Sequence, residues 1–559
     1  LMVDPWRKRE ASAAAFLGSA KLPTTSALSA SPCGATNSSI ASKDFLTVVS
    51  PFFLFSLTLL TSSVTVLQQR LARQHKLQFF RAATCIFKAM ALEKQVTNLG
   101  TVMDDRSKQM LTGPPIPLLV KMSAPNSLAF LIQASVSMAE IWFIGRLGSL
   151  SLAAIALVFP LLMLTQTLSG GAMGGAVASA IARALGAGDL ARAENLIWHA
   201  IALAGAGSLL LLALFLLVGD RFLGFMGGTG EILEQAIGYS LILFTGGICL
   251  WLVGVISAVF RGMGNMRFPA AMMALSAILQ IPLSGAMILG AFGLPGLGIS
   301  GAAISAIVSA LLLSAVMLLH LASGSGAIRL RLSALRFRKE LFDDILGVAL
   351  PGSISPILTV LTIVLLTAFV GRFGEEALAG YGIGSRIEFL MIPLVFGIGA
   401  AMTSLVGIGI GAGDVQRAET IGWVGGFGAA LMAGIIGLVL ALFPNAWIPY
   451  FTSDPVVYDT AQRYIQIVGP CFSFYGIGLV LYFGSQGASA MRWPVITLCL
   501  RFVVAIGGAL MLMSYTDLAV QSVFYAAAAS MLVYGATMMG ALKLGAWRVS
   551  GVALSLIHI

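Results

Sequence analysis

The sequence predicts an all-α polytopic membrane protein: twelve transmembrane helices in two six-helix lobes. Three observations predict it. The 559 residues are 58% hydrophobic and only 10% charged, where a soluble chain carries roughly 25% charged and 45–50% apolar residues. Uncharged runs of about twenty residues, long enough to cross a bilayer, follow one another from residue 122 onward. The second half of the chain also repeats the first. Together these exclude a soluble enzyme, a disordered chain and a nucleic-acid-binding module. The five cysteines (Cys33, Cys85, Cys249, Cys471, Cys499) form no Cys-x-x-Cys, so neither a disulfide framework nor a zinc ribbon is expected. Four scattered histidines offer no metal cluster.

The net charge of +10 is unevenly placed. Residues 1–102 hold 11 Lys/Arg against 4 Asp/Glu, and residues 103–559 hold 22 against 19. The body of the protein therefore needs no polyanionic partner. Residues 1–102 are rich in Ser, Ala and Thr and lack the glycine-punctuated apolar runs found later, apart from the uncharged stretch 45–67. They read as a non-native upstream extension or a disordered one, with Met103-Asp104-Asp105-Arg106 as the start of the protein proper; an extra helix or internal signal is the alternative. At the other end, residues 554–559 can be back-translated as CTG-TCT-CTT-ATA-CAC-ATC, which resembles a transposon end used in sequencing libraries. Both ends are excluded from the fold.

The expected spans are 122–145, 152–182, 195–219, 235–260, 268–290, 298–322, 345–371, 377–410, 420–444, 459–486, 493–516 and 518–542. The uncharged stretch 268–328 must hold two helices, broken at Gly290-Ala-Phe-Gly-Leu-Pro-Gly-Leu-Gly298, a Gly/Pro hairpin signal. Residues 103–328 form the first lobe, 329–344 a basic linker and 345–553 the second lobe. With both termini in the cytoplasm, sixteen Lys/Arg fall on inside segments, Arg183 and Arg261 among them, against four outside (Arg146, Arg221, Arg372, Arg463). A multi-pass protein of the plasma (cell inner) membrane, both termini cytoplasmic, is expected.

The halves match residue by residue. At an offset of 226, Pro125 maps onto Pro351 and Gly145-Arg146-Leu147-Gly148 onto Gly371-Arg372-Phe373-Gly374. At an offset of 225, Gly186-Ala187-Gly188-Asp189 maps onto Gly411-Ala412-Gly413-Asp414, Arg192-Ala193-Glu194 onto Arg417-Ala418-Glu419, Tyr239 onto Tyr464 and Gly262 onto Gly487. Six helices per half means that both halves enter the membrane from one side: a parallel repeat, its pseudo-two-fold axis along the membrane normal. Two similar bundles about a midplane cavity suit alternating access. No filter-like carbonyl loop or acidic ring argues for a channel.

The stretch Pro125-Asn126 to Glu140-Ile-Trp-Phe-Ile-Gly145-Arg146-Leu147-Gly148 and Leu152-Ala153-Ala154 resembles the first helix and following loop of the multidrug and toxic compound extrusion (MATE) transporters. The Gly-Ala-Gly-Asp and Arg-Ala-Glu loops resemble that family too, as do Arg261-Gly262-x-Gly264-Asn265-x-Arg267-x-Pro269 and Gly298-Ile-Ser-Gly301-Ala302-Ala303. The resemblance runs from about 110 to 545. No single motif is diagnostic; their order and double occurrence are.

An ionisable group within a bilayer costs about 2.5–3.5 kcal/mol on insertion scales, so each is a functional hypothesis. Glu140 lies in the first span among Met138, Ile141, Trp142 and Phe143. A buried carboxyl resists ionisation and can take up and release a proton. The family usually has Asp here, so the resemblance implies a coupling carboxylate; a solvated, idle acid is the alternative. Glu388 is a second candidate ion-coupling acid, with a structural ion pair equally open. It follows Arg386 by two residues, so the two do not share a helix face. Arg501 reads as a partner for a buried carboxylate or as a snorkelling residue. Gln280, Met138, Trp142, Met173 and Arg386 are the expected substrate-cavity residues.

The seventh span has Thr359, Thr362 and Thr367 where some sodium-coupled members resemble one another in carrying Glu, which favours H⁺ over Na⁺. The glycine clusters 170–175 and 407–411 follow no strand and lack a Gly-Lys-Ser/Thr, so they read as helix packing rather than a nucleotide loop. Pro160, Pro351, Pro356, Pro393 and Pro470 are expected to bend helices. Met and Phe, 24 and 32 in number, suit a promiscuous apolar cavity but also face lipid.

The expected protein is not an enzyme and needs no cofactor or metal. It is a monomeric antiporter exporting amphipathic, cationic small organic molecules by alternating access, with the lipid bilayer as its surroundings and no nucleic acid as partner. A lipid-linked oligosaccharide flippase of related architecture is the alternative, and it would want a wide cationic groove.

Overall fold

The computed structural model describes residues 105–290, 296–324 and 326–548; the segments 1–102 and 554–559 lie outside them. A short helix, Asp105–Thr112, leads into the first span, Pro115–Gly145. Then follow Ser149–Gly186, Leu190–Phe225, the bent pair Gly230–Thr245 and Gly247–Gly262, Arg267–Leu289 and Ile299–Ala322. The second lobe repeats the series as Lys339–Gly371, Glu375–Gly411, Val415–Leu442, Pro455–Gly487, Arg492–Tyr515 and Gln521–Lys543. Counting the bent pair as one span gives twelve among the described residues.

These residues form long helices because hydrocarbon leaves backbone N–H and C=O groups nothing to bond but one another. Breaks fall where the sequence marks them. Asp189 and Asp414, at equivalent loops, cap the third and ninth spans by accepting from the backbone N–H of Arg192 and Arg417. Gly188 and Gly413, just before them, take φ of 75° and 78°, a region that disfavours any Cβ. Pro125, Pro160, Pro282, Pro351, Pro356 and Pro393 all sit inside helices. The second span also loosens into a π-helical stretch, Thr167–Met173, midway along its length. The seventh span begins at Lys339, six residues earlier than its uncharged core, because Glu340, Asp343 and Asp344 continue the helix into the linker.

The repeat seen in the sequence is also a repeat of contacts. Gly186 and Gly411 stand where the second and eighth spans cross. A Cβ on Gly186 would lie 2.2 Å from the carbonyl oxygen of Ile408, and one on Gly411 would lie 2.1 Å from that of Arg183. Residues 183 and 408 are themselves equivalent. One step deeper, the Ser179 hydroxyl donates to the Gln486 carbonyl (2.5 Å), and its counterpart Ser404 donates to the Arg261 carbonyl (2.7 Å). Small residues let the backbones approach, and the hydroxyls satisfy carbonyls that no water reaches.

Charge reinforces this face. Asp344 of the seventh span accepts from Arg183 (2.5 Å) and Arg192 (2.8 Å) of the first lobe. Arg417 of the second lobe donates to the carbonyls of Met110 (2.8 Å) and Gly113 (2.7 Å), just ahead of the first span. The linker lies along the third span: Trp198 donates to the Arg331 carbonyl, and the Arg338 amide donates to His199. Arg183 and Arg261, counted above as loop charges, are instead buried in the last turns of helices, 5% and 7% exposed. The uncharged runs end at these residues, but the helices and their packing do not. Among the described residues, no inter-lobe hydrogen bond or ring contact lies beyond the level of Phe130 and Phe396 toward the opposite face.

Enlarging Gly411 to Val should force the second and eighth spans apart. Overpacking of about 1–3 kcal/mol corresponds to roughly 5- to 150-fold in the closed-to-open ratio. A cysteine placed at Ser179, now completely buried, should then react at least about fivefold faster with a membrane-impermeant maleimide applied to the arginine-rich face.

Candidate functional site

Three groupings of the described residues set polar side chains in or beside the apolar interior. The first is in the half of the first lobe that lies away from the arginine-rich face. Proline and small residues let the first and fifth spans pack closely: a Cβ on Gly285 would meet the Phe143 ring at 2.7 Å. This contact brings Glu140 to Gln280, whose side-chain amide donates to Glu140 Oε1 at 2.9 Å. Ser284, one turn on, and Tyr239 from the fourth span complete the neighbourhood. Gln280, Ser284 and Tyr239 are buried, whereas Glu140 remains partly exposed. The grouping can hold one small cation or one proton on a single carboxylate.

The second grouping is in the second lobe. Tyr464, the repeat partner of Tyr239, donates its hydroxyl to Glu388 Oε1. The Arg501 guanidinium lies over the rings of Tyr475 (4.9 Å) and Tyr534 (5.3 Å), and its charge acts on Glu388. Cation–π stacking offsets part of the desolvation of Arg501. Each lobe thus sets one carboxylate beside an equivalent tyrosine. The acids themselves come from non-equivalent helices, the first span and the eighth.

The third is a recess between the lobes, lined by Phe130, Gly174, Arg261, Phe396, Ala400 and Phe483 among others. Its three phenyl rings meet edge to face, Phe130 on Phe396 at 6.0 Å and Phe396 on Phe483 at 5.0 Å. The glycines of the π-helical stretch and the turn after it open this space: a Cβ added to Gly170 would find no neighbour within 4 Å.

The residues expected at a cavity are dispersed. Gln280 belongs to the Glu140 grouping. Met138 is 71% exposed on the first span, and Trp142 is exposed beneath the Arg146 guanidinium at 4.2 Å. Met173 is half-buried against the core beside the recess without lining it. Arg386 is exposed, its guanidinium 5.6 Å from the Phe451 ring. Thr362 and Thr367 each donate to a carbonyl one turn back, and the Thr367 side chain also lies within hydrogen-bonding reach of Tyr381. Sequence reasoning missed Arg261, Tyr239 and Tyr464 as site residues. The tyrosine pair was visible as a repeated position and Arg261 as a charge closing an uncharged run. Among the described residues, no group of three or more His, Cys, Asp or Glu side chains could hold a metal ion.

Comparisons with known proteins agree with this fold. The MatE family model matches twice, at residues 125–286 and 351–511. The chain is 26% identical over 358 residues (64% of this chain, 76% of the relative) to the "Probable multidrug resistance protein NorM" of Thermotoga maritima. It is 26% identical over 425 residues (73% and 90%) to the "FAD transporter" of Shewanella oneidensis. A solved structure described as the outward-facing conformation of a multidrug resistance MATE family transporter of the MOP superfamily superposes with a TM-score of 0.71. It is 25% identical in sequence, and the match covers 80% of this chain and 100% of that one.

Replacing Arg501 by Leu should leave Glu388 without its counter-charge and lower thermal stability by about 2–4 kcal/mol. Adding Glu388→Gln should restore most of that loss, a coupling of about 1–3 kcal/mol measurable in a double-mutant cycle in detergent.

Proposed function

The chain belongs to the MatE family, the multidrug and toxic compound extrusion transporters, and on that premise we propose that it is a secondary antiporter exporting amphipathic organic compounds in exchange for H⁺. The observation that carries the coupling is the partly exposed Glu140 carboxylate held by Gln280 inside the first lobe. One carboxylate among an amide, a hydroxyl and a phenol suits an ion that sits on one oxygen, so H⁺ is favoured over Na⁺.

The excess of Lys/Arg puts the arginine-rich face in the cytoplasm of a cell membrane, both termini with it. The lobes meeting at that face then correspond to a cavity open outward. Ionised Glu140 favours the cargo-loaded state. Protonation from outside neutralises it, loosens its bond to the fifth span, and lets the first lobe repack so that cargo leaves. The protein works as a monomer, since each of its two lobes supplies what the other needs to close.

Cationic cargo was the class expected from the sequence. With Glu140 tied to the fifth span, that expectation rests on no residue of the inter-lobe recess. The flippase alternative would want a wide cationic groove, and the recess presents a single guanidinium.

The test is dye efflux in cells stripped of their own pumps, followed by proteoliposomes under an imposed pH or sodium gradient. A pH gradient alone should drive efflux. Glu140→Gln should reduce it at least about a hundredfold, the scale of losing a group that acts in proton transfer, with the protein still folded. Retention of proton-driven efflux in that variant would remove Glu140 from the mechanism.

A further inference from the structure

Arg261 is 7% exposed, yet its guanidinium makes no hydrogen bond or ion pair with any described residue. An arginine does not shed its proton. A guanidinium withdrawn this far, reaching solvent only through the recess, is costly to keep without a protein partner. The carboxylates that might answer it are engaged elsewhere: Glu140 with Gln280, Glu388 with Tyr464, and Asp344 with Arg183 and Arg192.

The repeat shows that packing does not require this charge. The position equivalent to Arg261 is Gln486, completely buried at the end of the tenth span. Both residues offer their backbone carbonyl to the opposite lobe's serine. One copy of the motif is neutral and the other cationic, and only the cationic one lines the recess. Around it lie three phenyl rings, and the recess, open toward solvent in part, has a volume of about 20 Å³. In this conformation that holds about one water, so a bound compound takes its place as the lobes part.

We propose that this recess is an anion subsite for cargo: Arg261 takes the carboxylate, sulfonate or phosphate of a planar aromatic compound whose rings lie against Phe130, Phe396 and Phe483. A guanidinium pairs such groups through two parallel N–H bonds, and the edge-to-face phenyls accept a flat ring. The proposal rests on the exporter reading and names its substrate class.

The probes are anthracene-9-carboxylate and its ammonium counterpart, (anthracen-9-yl)methylammonium, titrated by fluorescence into the detergent-purified full chain. The carboxylate should bind at least about tenfold more tightly than the ammonium, the scale of one charge-assisted pair. Arg261→Gln, which installs the side chain used by the second lobe, should erase that preference, and Arg261→Lys should keep most of it. Equal affinity of the two probes for the wild-type protein would overturn the proposal whether or not any variant folds. So would an unchanged carboxylate affinity in a folded Arg261→Gln protein. Inorganic phosphate or chloride binding as tightly as the carboxylate would also overturn it, because the recess would then be a site for a free ion. An Arg261-dependent preference without proton-driven export would sink the exporter reading and leave the subsite standing. Ethidium export with no such preference would do the reverse.

Discussion

The whole arrangement depends on how closely the second and eighth spans cross. At Gly186 and Gly411 each helix lays its backbone against a carbonyl of the other, at separations that no side chain would permit. That contact brings Ser179 and Ser404 within reach of the carbonyls at the ends of the tenth and fourth spans. It also brings Arg183 and Arg192 to Asp344. With slightly bulkier residues at the crossing, the lobes would stand apart and the recess above them would lose its floor.

The strength of this closure is as important as its geometry. A side-chain hydrogen bond contributes about 1 kcal/mol net, and a partly buried ion pair not much more after desolvation. A handful of them amounts to a few kcal/mol, the range in which a bound ion or cargo can tip a two-state equilibrium. Small residues serve both demands. They allow tight approach, yet they interlock no large side chains that separation would have to disentangle. The π-helical stretch Thr167–Met173 places compliance beside the recess, and the 52° bend at Gly246 places more of it farther along the fourth span.

Much of the architecture was legible from the sequence because hydrocarbon imposes one rule at a time. Uncharged runs marked the spans, and the doubled Gly-Ala-Gly-Asp and Arg-Ala-Glu loops marked the repeat. Glu140 and Gln280 both stood out as polar residues in apolar helices, but their meeting did not: 140 residues separate them, and the pairing depends on how the first and fifth spans rotate against each other. Met138 and Trp142 were legible as neighbours of Glu140 along the chain. A helix, however, turns adjacent residues to different faces, and these two point away from Gln280. Arg183 and Arg261 read as loop charges because an uncharged run ends where they begin. Burial of a terminal helical turn against the other lobe is a tertiary event that no local pattern records.

The two equivalent arginines of the loop motif also carry a trace of ancestry. Arg192 of the first lobe grips the chain entering the second lobe, and Arg417 of the second grips the chain entering the first. This reciprocal embrace is what an isologous homodimer would make across its dyad. The covalent bridge between the lobes then contributes proximity rather than architecture. Fusion of two copies freed them to diverge, and the exchange of a glutamine for an arginine at one of two matching sites is a change that a pair of identical subunits could never have made on one side alone.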